Sequence, residues 1–127
     1  ITHASTGNST TFGEGTISRQ NQNGTSTNIR AIFMGGRTGY INVIDYVTIA
    51  STGNATSFGT LTATRNGVQA ASNQISGVFV GGSTSGQTTS IDVITITTTG
   101  NATSFGNLLA SGGAYQITGM SNSHGGL

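Results

Sequence analysis

The sequence predicts an all-β chain built as a repeat array, and three observations carry that expectation. The string Thr52-Gly53-Asn54-Ala55-Thr56-Ser57-Phe58-Gly59 recurs unchanged from residue 99 and as TGNSTTFG from residue 6, so its copies start 47 and 46 residues away. A repeat of that length is one supersecondary unit, which buries its apolar face by stacking on its neighbours. The β-branched and aromatic residues recur in register with the string, in short runs closed by Gly, Asn and Ser. No stretch of useful length has a helical period.

The array opens inside a unit. Residues 1–6 match residues 47–52 and 94–99, the end of what the alignment makes the third strand of each unit. In full copies that strand reads Ile44-Asp45-Tyr46-Val47-Thr48-Ile49 and Ile91-Asp92-Val93-Ile94-Thr95-Ile96. Alternation places Asp45, Val47 and Ile49 on one face and Ile44, Tyr46 and Thr48 on the other, so both faces are expected to be covered. A Gly-Asn pair follows (Gly7-Asn8, Gly53-Asn54, Gly100-Asn101), and both residue types tolerate the positive φ of a tight hairpin. The fourth strand is expected over 10–13, 56–59 and 103–106, each copy with one large apolar residue: Phe12, Phe58 or Phe105.

A polar connection with Arg19 or Arg65 then leads to a weak first strand, within 21–27 and 67–72. The second strand is the most apolar, Ile29-Arg30-Ala31-Ile32-Phe33-Met34 and Ile75-Ser76-Gly77-Val78-Phe79-Val80, and each copy ends in a glycine pair. A continuous Val-Phe-Val run is the pattern of a strand covered on both faces. Loops over 37–40 and 83–89 return to the third strand. The organisation is thus the end of one unit at 1–13, whole units at 14–59 and 60–106, and the opening of another at 107–127.

Four antiparallel strands per unit with both faces apolar match the demands of a propeller blade, which is sandwiched between neighbours. All five phenylalanines (Phe12, Phe33, Phe58, Phe79, Phe105) fall at repeat-equivalent positions, so they are expected to form the packing core between units. A stacked β-solenoid is the architectural alternative. Fewer than three full units are present, whereas a ring takes typically about 4–8 blades. The ring is therefore incomplete in this chain, which is read as a segment of a longer array or as one of several chains that complete a ring.

The glycine pair after Val-Phe-Val, then Ile-Asp-Val, then an aromatic some dozen residues on, resembles the kelch repeat. Kelch units carry a Trp in the fourth strand where Phe12, Phe58 and Phe105 stand here. The IDYVTIASTGNATSFG style is similar to kelch-like repeats in predicted tail-fibre and other structural proteins of tailed phages, many of them marine. That resemblance spans the chain. It implies a non-enzymatic virion structural protein, on the particle surface or tail, that contributes to host attachment. It also implies other virion proteins or copies of itself as partners, and host surface glycan as a candidate ligand. The alternative is a bacterial extracellular kelch-like propeller domain for protein–protein contact.

The residues add little chemistry to this. Four arginines, no lysine and three acidic residues give a net charge of +1. Nucleic-acid binding wants clustered cations, which this chain lacks, and a polybasic membrane role fails likewise. No apolar run approaches the roughly 20 residues of a membrane helix. Without cysteine there is no thiolate ligand or thiol nucleophile, and a copper site of the galactose oxidase type would need a Cys-linked Tyr. No cofactor is expected.

His3 takes the slot of Ile49 and Ile96, and His124 stands in a poorly matched tail, so neither is expected to bind metal. Asp45 and Asp92 occupy one place in successive units and are read as structural, bonding a backbone turn, in preference to a glycosidase pair. The sequons at Asn8, Asn54 and Asn101 are the repeat turn itself, and a fourth begins at Asn23. Strand alternation puts the second-to-third and fourth-to-first connections on one edge of each unit. That edge collects Arg19, Arg37, Tyr40, Arg65 and Gln87, the expected binding residues.

Overall fold

The computed structural model describes residues 7–109 and 112–114. Eight strands form two four-stranded antiparallel sheets, each an up-and-down meander in chain order. The first holds β1 (Asn23–Ser26), β2 (Arg30–Met34), β3 (Val43–Thr48) and β4 (Thr56–Thr60). The second holds β5 (Gln69–Ser72), β6 (Ser76–Val80), β7 (Ser90–Thr95) and β8 (Thr103–Asn107). All eight fall within a residue or two of the spans the repeat alignment predicts. The two sheets do not close on each other, and no helix among the described residues is long and apolar enough to cross a membrane.

Registers repeat as faithfully as the sequence does. Phe33 pairs with Asp45 in the first sheet and Phe79 with Asp92 in the second. A bulge falls between Ile44 and Asp45, and again between Ile91 and Asp92. Ile44 and Asp45 are both fully buried although adjacent, because successive side chains enter opposite faces and both faces are occupied there.

The core lies between the sheets. The first sheet contributes Ile32, Met34 and Ile44, with Tyr46 packed beside them; the second contributes Phe79, Ile94 and Ile96, with Val68 and Ala70. Phe58, at the end of the first unit, Leu61, at the start of the second, and Ala102 complete the cluster. Phe58 meets the Tyr46 ring edge-on at 6.0 Å between centroids. Arg30 lies 4.7 Å from the same ring centroid and donates to the Ile96 carbonyl across the interface at 2.7 Å. At the inner edge β1 and β5 run beside each other, joined by Asn23 Nδ2 to Gln69 Oε1 at 2.8 Å and Thr25 Oγ1 to Ser72 Oγ at 2.6 Å.

The repeated octapeptide reverses the chain between β3 and β4 and between β7 and β8, as the sequence suggests, but none of Gly53, Asn54, Gly100 and Asn101 has the positive φ of a tight hairpin. The turn also docks on the preceding unit. Gly100 N donates to Phe58 O and Ala102 N to Thr60 O, while Thr60 N donates to Asn101 Oδ1. One unit earlier, Gly53 N donates to Phe12 O, Ala55 N to Glu14 O, and Glu14 N to Asn54 Oδ1. The glycine that ends the octapeptide is required by this approach: a Cβ on Gly59 would collide with Gly100 O, and one on Gly13 with Gly53 O. The glycine pairs serve a related contact. Gly35 and Gly36 both have positive φ, and Gly36 N donates to the Arg65 carbonyl at 3.2 Å.

Two sequence expectations are corrected. Residues 10–13 are not in a strand among the described residues; Phe12 O accepts from Gly53 N of the next unit's turn, and the segment expected to pair with them, 1–6, lies outside the described residues. The phenylalanines are also not equally buried. Phe58 and Phe79 are 3% and 0% exposed and Phe33 is half-buried, but Phe12 is 39% and Phe105 69% exposed. Each exposed ring stands at an end of the pair of sheets, where no further described sheet covers it.

Phe58→Ala should therefore cost about 3–5 kcal/mol, while the repeat-equivalent Phe105→Ala stays within about 0.5 kcal/mol. Chemical denaturation of both variants measures this difference, and equal losses would contradict it.

Candidate functional site

Four of the chain's seven charged residues form one arrangement, built twice. In the first unit, the alternation of β3 places Asp45 on the face opposite Ile44. There Thr16 Oγ1 donates to both carboxylate oxygens at 2.7 and 2.8 Å. The Arg19 guanidinium pairs with Oδ2 at 2.7 Å through Nη2 and donates through Nη1 to Val43 O at 3.0 Å. In the second unit, Thr62 donates to Asp92 through Oγ1 at 2.7 Å and through its amide at 2.9 Å. Arg65 pairs with Asp92 through Nη2 and reaches the Gly81 and Ser90 carbonyls through Nη1 at 3.2 and 3.1 Å. The sequence signature is Thr-x-x-Arg in the fourth-to-first connection and Asp in the following third strand.

These groups are shut away from water. Arg65, Asp92 and Asp45 are each 0% exposed, and the Arg19 side chain only 3%. Burial lowers the Arg19 guanidinium from its ordinary value, with Asp45 working in the opposite direction. Arg65 Nε is buried without an acceptor. A buried charge stripped of its partner is expensive, so each pair locks the connection onto its own sheet. Each carboxylate bonds Arg and Thr side chains as well as a turn amide, which refines the expectation of a bond to a backbone turn.

The loop edge follows the predicted topology. Gln20 and Arg37 exchange backbone hydrogen bonds, as do Asn66 and Ser83, so the fourth-to-first and second-to-third connections are joined at one edge. Of the five residues expected there for binding, Arg37, Tyr40 and Gln87 are exposed. Arg19 and Arg65 are not: both turn inward to their carboxylates. A repeated Arg opposite a repeated Asp in so charge-poor a chain was the signal for that pairing. Thr16 and Thr62, which sequence reasoning passed over, share the same 46-residue spacing. Tyr40 is held at φ 55°, after Gly39 at 82°, a conformation that costs a bulky residue about 1–3 kcal/mol.

The outer face of the first sheet carries a cavity of about 380 Å³, walled by Phe12, Ala31, Phe33, Val47 and Ile49 and bordered by Arg19 and Asp45. The repeat equivalents of those walls are Phe58, Gly77, Phe79, Ile94 and Ile96, all buried in the interface between sheets. The cavity is thus the same apolar face with no covering sheet among the described residues. No three His, Cys, Asp or Glu residues come together among the described residues, and His3 and His124 lie outside them.

Arg65→Ala should cost about 3–5 kcal/mol by stranding Asp92, and Arg65→Met combined with Asp92→Leu should cost less than either truncation alone. A double-mutant cycle in denaturant checks this; additive losses would contradict it. No protein-family model matches the chain and no curated protein matches it, so the reading of its site rests on geometry.

Proposed function

We infer that this chain is a run of kelch-like propeller blades serving as a rigid, non-enzymatic part of a phage tail fibre or similar virion appendage, which contributes to attachment at the host surface. The observation that carries this reading is the use made of charge. Two Arg–Asp pairs are consumed inside the fold, one per unit, and the exposed loop edge keeps Arg37, Tyr40 and Gln87. Blade architecture is supported by the order β1 to β4 from one edge outward, the adjacency of β1 and β5, and the burial of one sheet face on the next.

Host-surface glycan is the ligand class that fits the edge. Tyr40 offers a ring face, Arg37 and Gln87 offer hydrogen bonds, and Ser and Thr surround them. Neither Arg37 nor Tyr40 has a copy in the second unit, where Ser83 pairs with Asn66 as Arg37 pairs with Gln20. The array therefore does not dictate these two residues. The strained backbone at Tyr40 points the same way, since such strain persists where surrounding structure imposes it and concentrates at functional positions.

Binding to host-surface glycans, read on an array or with surface extracts, should weaken about tenfold or more in Tyr40→Ala, a loss of about 1.4 kcal/mol per factor of ten. Arg37→Ala should behave alike, with circular dichroism unchanged in both. Failure of the wild-type chain to bind any host extract would remove the attachment role.

A further inference from the structure

The loop between β2 and β3 is pinned at both ends and open in the middle. Arg37 N donates to Gln20 O at 2.7 Å, and Ile41 N donates to Gly36 O at 3.2 Å. The amides between them, those of Thr38, Gly39 and Tyr40, donate to nothing among the described residues. Residues 37–40 are all exposed, and nothing lies within 4 Å of where a Cβ on Gly39 would stand. The turn passes into left-handed backbone, with φ of 82° at Gly39 and 55° at Tyr40. Successive N–H groups in such a turn can face one concavity, and concavities of that kind bind anions.

Arg37 adds a charge to these donors. Of the four arginines, Arg19 and Arg65 are paired with carboxylates and Arg30 is bonded to Ile96 O. The Arg37 guanidinium has no acceptor among the described residues. Asp45 and Asp92 are enclosed in their own pairs, so neither competes for it. The matching loop of the second unit is built otherwise. Ser83 stands where Arg37 does, Thr84 N donates to Gly86 O at 3.0 Å, and Ser83 pairs with Gln87, so that loop closes on itself.

We propose that residues 37–40 form an oxyanion site, which takes the carboxylate or phosphate group of an acidic saccharide. The amides of Thr38, Gly39 and Tyr40 bond its oxygens, and the Arg37 fork, whose geometry fits either group, neutralises it. Tyr40 offers its ring to the sugar that carries the charge. This rests on the glycan reading of the same edge and narrows it to charged sugars.

Amide chemical shifts test the site at constant ionic strength, with inorganic phosphate, glucuronate and, as the neutral control, glucose. Shifts at Thr38, Gly39 and Tyr40 should saturate with phosphate, glucuronate or both, and the stronger of the two identifies the group. Ser85 and Gly86 should not respond, nor should any of the five to glucose. Arg37→Gln should weaken the titration about tenfold or more, as loss of a charged hydrogen-bond partner does. Thr38→Pro removes an amide that the fold leaves unbonded and should weaken it as well. Both positions are exposed, and circular dichroism should be unchanged. On a glycan array, the wild-type chain should retain acidic glycans over their neutral counterparts. Absence of a saturable shift at the three amides overturns the proposal, as does an unchanged titration in Arg37→Gln. Equal retention of acidic and neutral glycans overturns it too but leaves the glycan reading standing, whereas retention of no glycan at all removes both.

Discussion

A four-stranded sheet that is apolar on both faces cannot stand alone in water, and the rest of this structure follows from that constraint. Val-Phe-Val in β6 and the Ile/Val alternation of β7 leave no face for solvent, so each unit must be covered by the next. Ile32, Met34 and Ile44 meet Phe79, Ile94 and Ile96 for this reason. Burial of each large side chain is worth roughly 1.5–3 kcal/mol, enough to hold the sheets together but not to choose their alignment.

Alignment comes from polar groups placed at the borders of that apolar contact. At the inner edge, side chains of β1 and β5 bond each other. At the outer edge, the turn before β8 bonds the backbone of β4. Arg30 crosses the middle, stacked on Tyr46 and bonded to Ile96 O. The Arg–Asp pairs act within each unit, fastening the fourth-to-first connection to its own third strand. Such buried pairs add little net stability compared with apolar side chains. They do penalise any packing that would pull arginine away from its carboxylate, and we regard this as their use in a chain with so few other charges.

The sequence displayed the strands, their order and their shared edge because a 46-residue period repeats each signal in register. Asp45 and Asp92 were legible as structural for the same reason. Three features were hidden. Arg19 and Arg65 looked like loop residues, since nothing local reveals that a strand 26 or 27 residues later presents a carboxylate to each. The docking of the Gly-Asn turn on the preceding unit was hidden, because a turn that reverses the chain carries the same local signal whether or not it also bonds a neighbour. The uneven burial of Phe12, Phe58 and Phe105 depends on which unit has a neighbour, a property of position in the array that identical octapeptides cannot encode.

The claim at the centre is that one docking contact recurs between successive units. Amide hydrogen exchange at Gly53, Ala55, Gly100 and Ala102 tests it most directly, because these turn amides bond only to the preceding unit. The account predicts protection comparable to that of the β2 and β6 strand amides. Exchange as fast as that of the exposed loop at Ser85 and Gly86 would contradict it.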